Sequence, residues 1–193
     1  MPLKALFFTE VLMNKPLLFE FLSEDNLNLH ISHMKNESAK YSILEKSIPE
    51  LSGVAIGDIM RLGIKKEERE EALTIASRVE AHKIYFDSFA PLRKKCESVI
   101  KYFASMDRFL YEVFECSRQE RHGFTFVYVD KRNKPRIEFC TPREAFLKFS
   151  PILAIDLFEH AYFLDYGFKK EQYLRSAIAR LDIEKLDRAL TTS

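Results

Sequence analysis

Residues 156–162 read Asp156-Leu-Phe-Glu-His-Ala-Tyr162, and they follow directly on the apolar run Pro151-Ile-Leu-Ala-Ile155. A carboxylate and an imidazole placed there are costly to bury, by several kcal/mol each, unless they are paired or bind a metal. Either Asp156 and His160 are solvated at the end of a strand, or they face something cationic. How this stretch is read decides the rest of the chain.

Working outward from it, the period of the apolar residues changes along the sequence. Residues 122–130, His122-Gly-Phe-Thr-Phe-Val-Tyr-Val-Asp130, alternate as a strand. Lys131 to Pro135 carry turn chemistry, and Arg136 to Cys140 return as the hairpin partner. The run 151–155 is a short third strand. Upstream, Ser23-Glu-Asp-Asn26 starts a helix with several possible capping side chains. Leu27, His30, Ile31, Met34, Tyr41, Leu44 and Ile48 recur at helical spacing, so a long helix runs to about Ser47. Pro49 and Gly53 break it. A second long helix covers about 65–89, with a charged start and the apolar positions Ala72, Ile75, Ala76, Val79, Ile84 and Phe86. An aromatic-rich helix is expected over 97–118, and helices over 170–181 and 183–190 close the chain. The pattern predicts an α+β protein, a long helical hairpin followed by a lobe with a small three-stranded antiparallel sheet and helices. Pro91 and the basic segment after it mark a division into domains 1–90 and 91–193.

The chain has 193 residues, which suits one domain or two small lobes. Its formal net charge is +1, so no nucleic-acid or membrane partner is implied. Cys96, Cys116 and Cys140 form no paired spacing, which fits a reduced, cytoplasmic setting better than a disulfide framework or a zinc knuckle. The first residues, MPLKALFFTEVLMNKPLLFEF, have a signal-like apolar character, but Glu10 and Lys15 interrupt it and no small-residue cleavage site follows. No apolar run reaches transmembrane length.

There are five histidines: His30, His33, His82, His122 and His160. Any one alone is more often a satisfied core or surface residue than a ligand. His30 falls in the apolar stripe of the first helix, and His82 lies late in the second. In an antiparallel hairpin those positions meet, and Asp156 and His160 come from a strand end and the turn after it. Three imidazoles and one carboxylate make a set that suits Fe or Mn and does not exclude Zn.

These residues resemble the iron/manganese superoxide dismutases. The segment DLFEHAYFLDYGFKKEQYLRSAI resembles their D-x-W-E-H-A-Y signature, with Phe158 in place of Trp. The segment Ala81-His-Lys-Ile-Tyr-Phe86 resembles N-H-S-x-F-W. The strand from His122 resembles G-W-x-W-L, and SEDNLNLH resembles S-x-x-T-L-x-x-H. The resemblance implies one Fe or Mn ion per subunit, held between the two lobes by His82, Asp156, His160 and one histidine of the first helix. Matching the helix start gives His30. Matching the family's later tyrosine, a catalytic-site residue eight positions beyond the ligand, to Tyr41 gives His33. The apolar stripe favours His30. The resemblance also implies superoxide as substrate and a homodimer or higher homo-oligomer, with Glu159 reaching the partner's His160.

The chain departs from the family in several places. The family's solvent-holding glutamine has no match, since the only glutamines are Gln119 and Gln172. Arg78 stands at its N-terminal location, and Arg143 or Glu144 at its C-terminal one. Phe163 replaces the second tyrosine of H-A-Y-Y, and Met34 or Glu37 replaces a histidine. Ser77-Arg-Val-Glu-Ala81 replaces the glycines before the second ligand. Three readings follow: a superoxide dismutase with Lys83, Arg78 and Arg143 as candidates for steering the anion, a metal-binding relative with lost or altered activity, and a hydrolase using Zn-bound water on the same scaffold.

Overall fold

Ser23 starts the longest helix, its hydroxyl accepting the Asn26 N–H at 3.2 Å. In the computed structural model, which describes residues 16–91, 95–119 and 122–192, this helix, α1, spans Glu24–Ser47. Glu24 and Asp25 sit in its first turn and Lys46 in its last, each complementing the helix dipole. Pro49 then opens a 3₁₀ turn, Pro49–Leu51, and a second one, Ile56–Arg61, leads to α2, Lys66–Phe86. The side chains of these turns have a purpose. Leu51 and Ile59, with Ile48, Ala72, Leu73 and Ala76, form a small apolar cluster that seals the far end of the hairpin.

The expected helix over 97–118 is two helices, α3 (Glu97–Phe103) and α4 (Met106–Ser117). Ala104 breaks them apart at φ +67°, and the Ser105 hydroxyl caps α4 by accepting the Arg108 N–H at 3.0 Å. The break has a tertiary reason. The Asp187 carboxylate accepts the Ser98 N–H at 2.8 Å and fixes the start of α3 to the last helix, while Phe109, Val113 and Phe114 turn α4 to the main core.

The sheet is antiparallel throughout, β1 (Phe124–Val129) lying between β2 (Pro135–Cys140) and β3 (Leu153–Asp156). Phe124 pairs with both Cys140 and Asp156, so the central strand carries Asp156 on its edge neighbour. In the hairpin turn the Asp130 carboxylate accepts the N–H groups of Arg132 and Lys134, both at 2.9 Å, and Asn133 takes φ +55°. Gly123 stands before β1 because a Cβ there would meet the Cys140 carbonyl oxygen at 3.0 Å. The third strand runs 153–156 rather than 151–155, which puts Asp156 inside the ladder and not beyond it.

An unexpected helix, α5 (Pro142–Lys148), fills the gap before β3. Thr141 and Glu144 make a capping box and Pro142 holds the first turn. After β3 come a 3₁₀ turn, Glu159–Ala161, then α6 (Phe163–Tyr166), α7 (Lys170–Ile178) and α8 (Ile183–Thr191). One continuous core, from Leu18 and Leu27 through Tyr85, Phe109, Phe126 and Ile155 to Leu190, joins the ends of the hairpin to the sheet and the last helices. The architecture is α+β, as the change of period predicts. Most of the basic segment after Pro91, residues 92–94, lies outside the described residues, as do residues 1–15 of the signal-like segment.

Candidate metal centre

The hairpin is antiparallel: Arg78 of α2 reaches back to Glu37 of α1 at 3.5 Å, while His30 and His82 stand with ring centroids 5.3 Å apart. An early position on α1 therefore faces a late one on α2. The end of β3 and the turn after it close the same space from the sheet side. His30, His82, Asp156 and His160 each offer one ligand atom, and the four atoms lie within 4.8 Å of one another. Asp156 Oδ2 is 3.0 Å from His30 Nε2, 3.5 Å from His82 Nε2 and 3.1 Å from His160 Nε2.

Each side chain is aimed by a different device. The Phe158 N–H donates to Asp156 Oδ1 at 2.9 Å, which leaves Oδ2 for the imidazoles. The Tyr173 hydroxyl donates to the Asp156 carbonyl oxygen at 2.9 Å and fixes the strand end beneath it. His82 Nδ1 lies 2.7 Å from the Arg78 carbonyl oxygen, so the proton belongs on Nδ1 and Nε2 is bare toward the cluster. His30 is packed between Tyr85 and Phe86, with centroids 4.9 and 4.8 Å away. Its Nε2 is close to Asp156 but makes no hydrogen bond of acceptable geometry, and its Nδ1 is also unpartnered. A buried nitrogen aimed at a carboxylate and two other ring nitrogens without hydrogen bonding to any of them is what a lone pair directed at a shared cation requires.

The electrostatics agree. Burial drives the His82 pKa down to about 3 and that of His30 down as well, so both are neutral donors at pH 7. Burial acts to raise Asp156, but the hydrogen bond with His160 and the closeness of the His30 ring outweigh this and hold the carboxyl ionised, well below the usual carboxylate range. Three imidazole nitrogens and one carboxylate oxygen make a set of donors that could hold a metal ion.

The turn bearing His160 is clamped to α1. Asn26, fully buried, donates from Nδ2 to the Ala161 carbonyl oxygen at 2.7 Å and accepts the Leu164 N–H on Oδ1 at 3.1 Å. The sequence marks Asn26 only as part of a helix start; nothing in it signals this bridge across the fold.

A family model for the iron/manganese superoxide dismutases, C-terminal domain, matches residues 91–189, just over half of the chain. The chain belongs to the iron/manganese superoxide dismutase family. No curated protein matches it.

Of the two first-helix histidines, the structure brings His30 into the four-residue cluster. His33 sits outside the four, its ring stacked on that of His160 at 4.0 Å and 19°. Tyr41, expected as a catalytic residue, lies away from the four-residue cluster. Eleven residues beyond His30, about 16 Å along the axis at roughly 1.5 Å per residue, it packs on the cluster at the far end of the hairpin. Helical spacing carried it onto the apolar stripe but away from the site.

The residues at the family's glutamine locations are turned to other partners. Arg78 pairs with Glu37, Arg143 pairs with Glu70, and Glu144 caps α5. Met34 is core, Phe163 is exposed, and Lys83 pairs with Glu80 at 2.9 Å. Gln119 and Gln172 are surface residues. Glu159 meets His122 of its own chain at 3.1 Å, on the surface. Glu37, named in the sequence only as a possible replacement for a family histidine, is buried within α1 and pairs with Lys40 and Arg78.

Proposed function

We propose that this chain is a superoxide dismutase that converts two superoxide ions and two protons to O₂ and H₂O₂ with one Fe or Mn ion. The observation that carries the reading is the convergence of His30, His82, Asp156 and His160, with His30 Nε2 buried and without a hydrogen bond. A bound Fe or Mn ion supplies the one-electron change that takes one superoxide to O₂ and the next to peroxide. The chain's own residues hold that ion and set its surroundings. His82 keeps its proton on Nδ1 against the Arg78 carbonyl, His30 is locked among Tyr85 and Phe86, and Asp156 supplies the single negative charge. His160 is the one member that reaches solvent, with 18% of its side chain exposed, so small anions approach from its side.

A second reading is favoured by one specific observation. Arg78, Arg143 and Glu144 are all engaged elsewhere, so no side chain at the family's glutamine locations reaches the cluster. A group there tunes the potential of the ion and the acidity of its water. A metal-binding relative with altered or lost dismutation follows from that. Elemental analysis and a superoxide assay on one preparation separate the readings. Stoichiometric Fe or Mn with dismutation supports the first, the same metal without dismutation supports the second, and Zn alone overturns both.

The proposal includes a two-lobe division near residue 90 with the site between, and a reducing, cytoplasmic setting, in keeping with three free cysteines. Among the described residues no helix is long and apolar enough to cross a membrane. It also includes a homodimer. Exposed Phe163 and Phe168 line a surface hollow with Glu159, which would exchange its own-chain His122 for the partner's His160.

A further inference from the structure

His82 is oriented by a hydrogen bond and His30 by burial among aromatic rings. His160 has no hydrogen bond to a group outside the cluster, and it is not fully buried. It stands on a three-residue 3₁₀ turn rather than a long helix, and it is the cluster member open to solvent. Among the described residues nothing hydrogen-bonds its Nδ1, and both of its close polar contacts, His82 Nε2 at 3.2 Å and Asp156 Oδ2 at 3.1 Å, are made by Nε2. A ring held only at one nitrogen is free to rotate about its own axis unless its faces are covered.

They are covered. His33 lies on one side at 4.0 Å and 19° from parallel, and Phe158 stacks at 5.6 Å and 12°. Phe158 is itself braced edge-on by His122 at 5.7 Å and Phe124 at 6.0 Å. His33 comes from α1, one helical turn beyond His30, so the same rigid helix that supplies one ligand also supplies the plate for another.

The geometry points to His33 as a positioning residue: its imidazole is a flat plate that, with Phe158, holds the ring plane of His160 in the orientation the ion needs. It is not a ligand and its nitrogens are not required. This rests on the reading of the cluster as a metal site. An aromatic stack of this kind changes an equilibrium or a dissociation rate by roughly 2- to 12-fold.

The test uses the full chain loaded with Mn(II), its release to excess chelator followed by electron paramagnetic resonance. His33→Ala is expected to release the ion roughly 2- to 12-fold faster, with a changed Mn(II) line shape, while His33→Phe keeps the wild-type rate and line shape. His33→Leu, which fills the space without a flat ring, is expected to resemble His33→Ala and serves if that variant does not fold. His33→Ala and His33→Leu releasing at the wild-type rate overturns the inference. So does His33→Phe releasing as fast as His33→Ala, since that assigns the effect to the nitrogens. His160→Ala separates the two readings: a His160→Ala chain that holds Mn(II) as the wild type does, or a wild type that holds none, overturns the metal site and the inference together.

Discussion

Replacing Asp156 by Asn removes one charge and almost no volume. In the apo chain the change is mild. Oδ1 still accepts the Phe158 N–H, held at 2.9 Å, and the new amide faces imidazole nitrogens that accept hydrogen bonds. The apo melting temperature is expected to stay within about 4 °C of wild type. With metal the outcome differs. An ion present at about 1000 times its Kd stabilises the native state by about 4 kcal/mol. For a chain of this size each kcal/mol is worth about 2–4 °C, so metal raises the wild-type melting temperature by roughly 8–16 °C. Asp156 is the only anionic donor among the four. Its loss costs more than the roughly 10–100-fold that follows from removing a group that merely orients a ligand. At a 1000-fold loss the stabilisation shrinks to about 0.4 kcal/mol, about 1–2 °C. Melts followed by far-ultraviolet circular dichroism, with and without Mn(II), suit a chain that has no tryptophan. An Asp156→Asn chain whose melting temperature rises with Mn(II) as much as the wild type's would refute the reasoning.

Acid should unfold the apo chain through the same residues. His82 is held neutral with a pKa near 3 against an ordinary 6.5, so the unfolded chain binds more protons between those values and stability falls as pH drops from 6.5 to 3. His82 contributes at most about 5 kcal/mol to that loss, measured by urea denaturation across the range, and a flat profile would contradict the burial of neutral imidazole. Asn26→Ala leaves the Ala161 carbonyl and the Leu164 N–H unpaired and is expected to cost about 2–4 kcal/mol in the same assay. Phe126→Ala, at a fully buried position of the central strand, is expected to cost about 3–5 kcal/mol, read from the denaturation midpoint.

The sequence made the two long helices and the hairpin legible because their periods are long and uninterrupted, and the order of elements followed from the change of period. Other features were written in the chain but passed over. Thr141-Pro-Arg-Glu144 is a complete helix-start signal, yet the helix it opens is only seven residues long and carries no full apolar stripe. Ser105 is likewise a cap, hidden inside an aromatic-rich stretch that reads as one helix. The apolar stripe favoured His30 over His33 only narrowly, because residues three apart share a helix face. What separates them is the fold itself, which gives one the cluster and the other the face of His160. The pairing of Glu159 with His122 and the bridge made by Asn26 join residues far apart in sequence, and no local pattern encodes such contacts.

One consequence follows from how Ser88 is wired. Its hydroxyl accepts the Ala154 N–H at 2.8 Å and donates to the Ile84 carbonyl at 2.6 Å, while its own carbonyl accepts the Asp182 N–H at 2.8 Å. The end of the helix bearing His82 is thus completed only by chain that the ribosome delivers much later. At about 5–20 residues per second, the stretch from His82 to Asp156 takes on the order of 4–15 s to make. For that interval the hairpin holds only His30 and His82 of the four cluster residues, so the proposed metal site would be complete only after synthesis has passed the late segment.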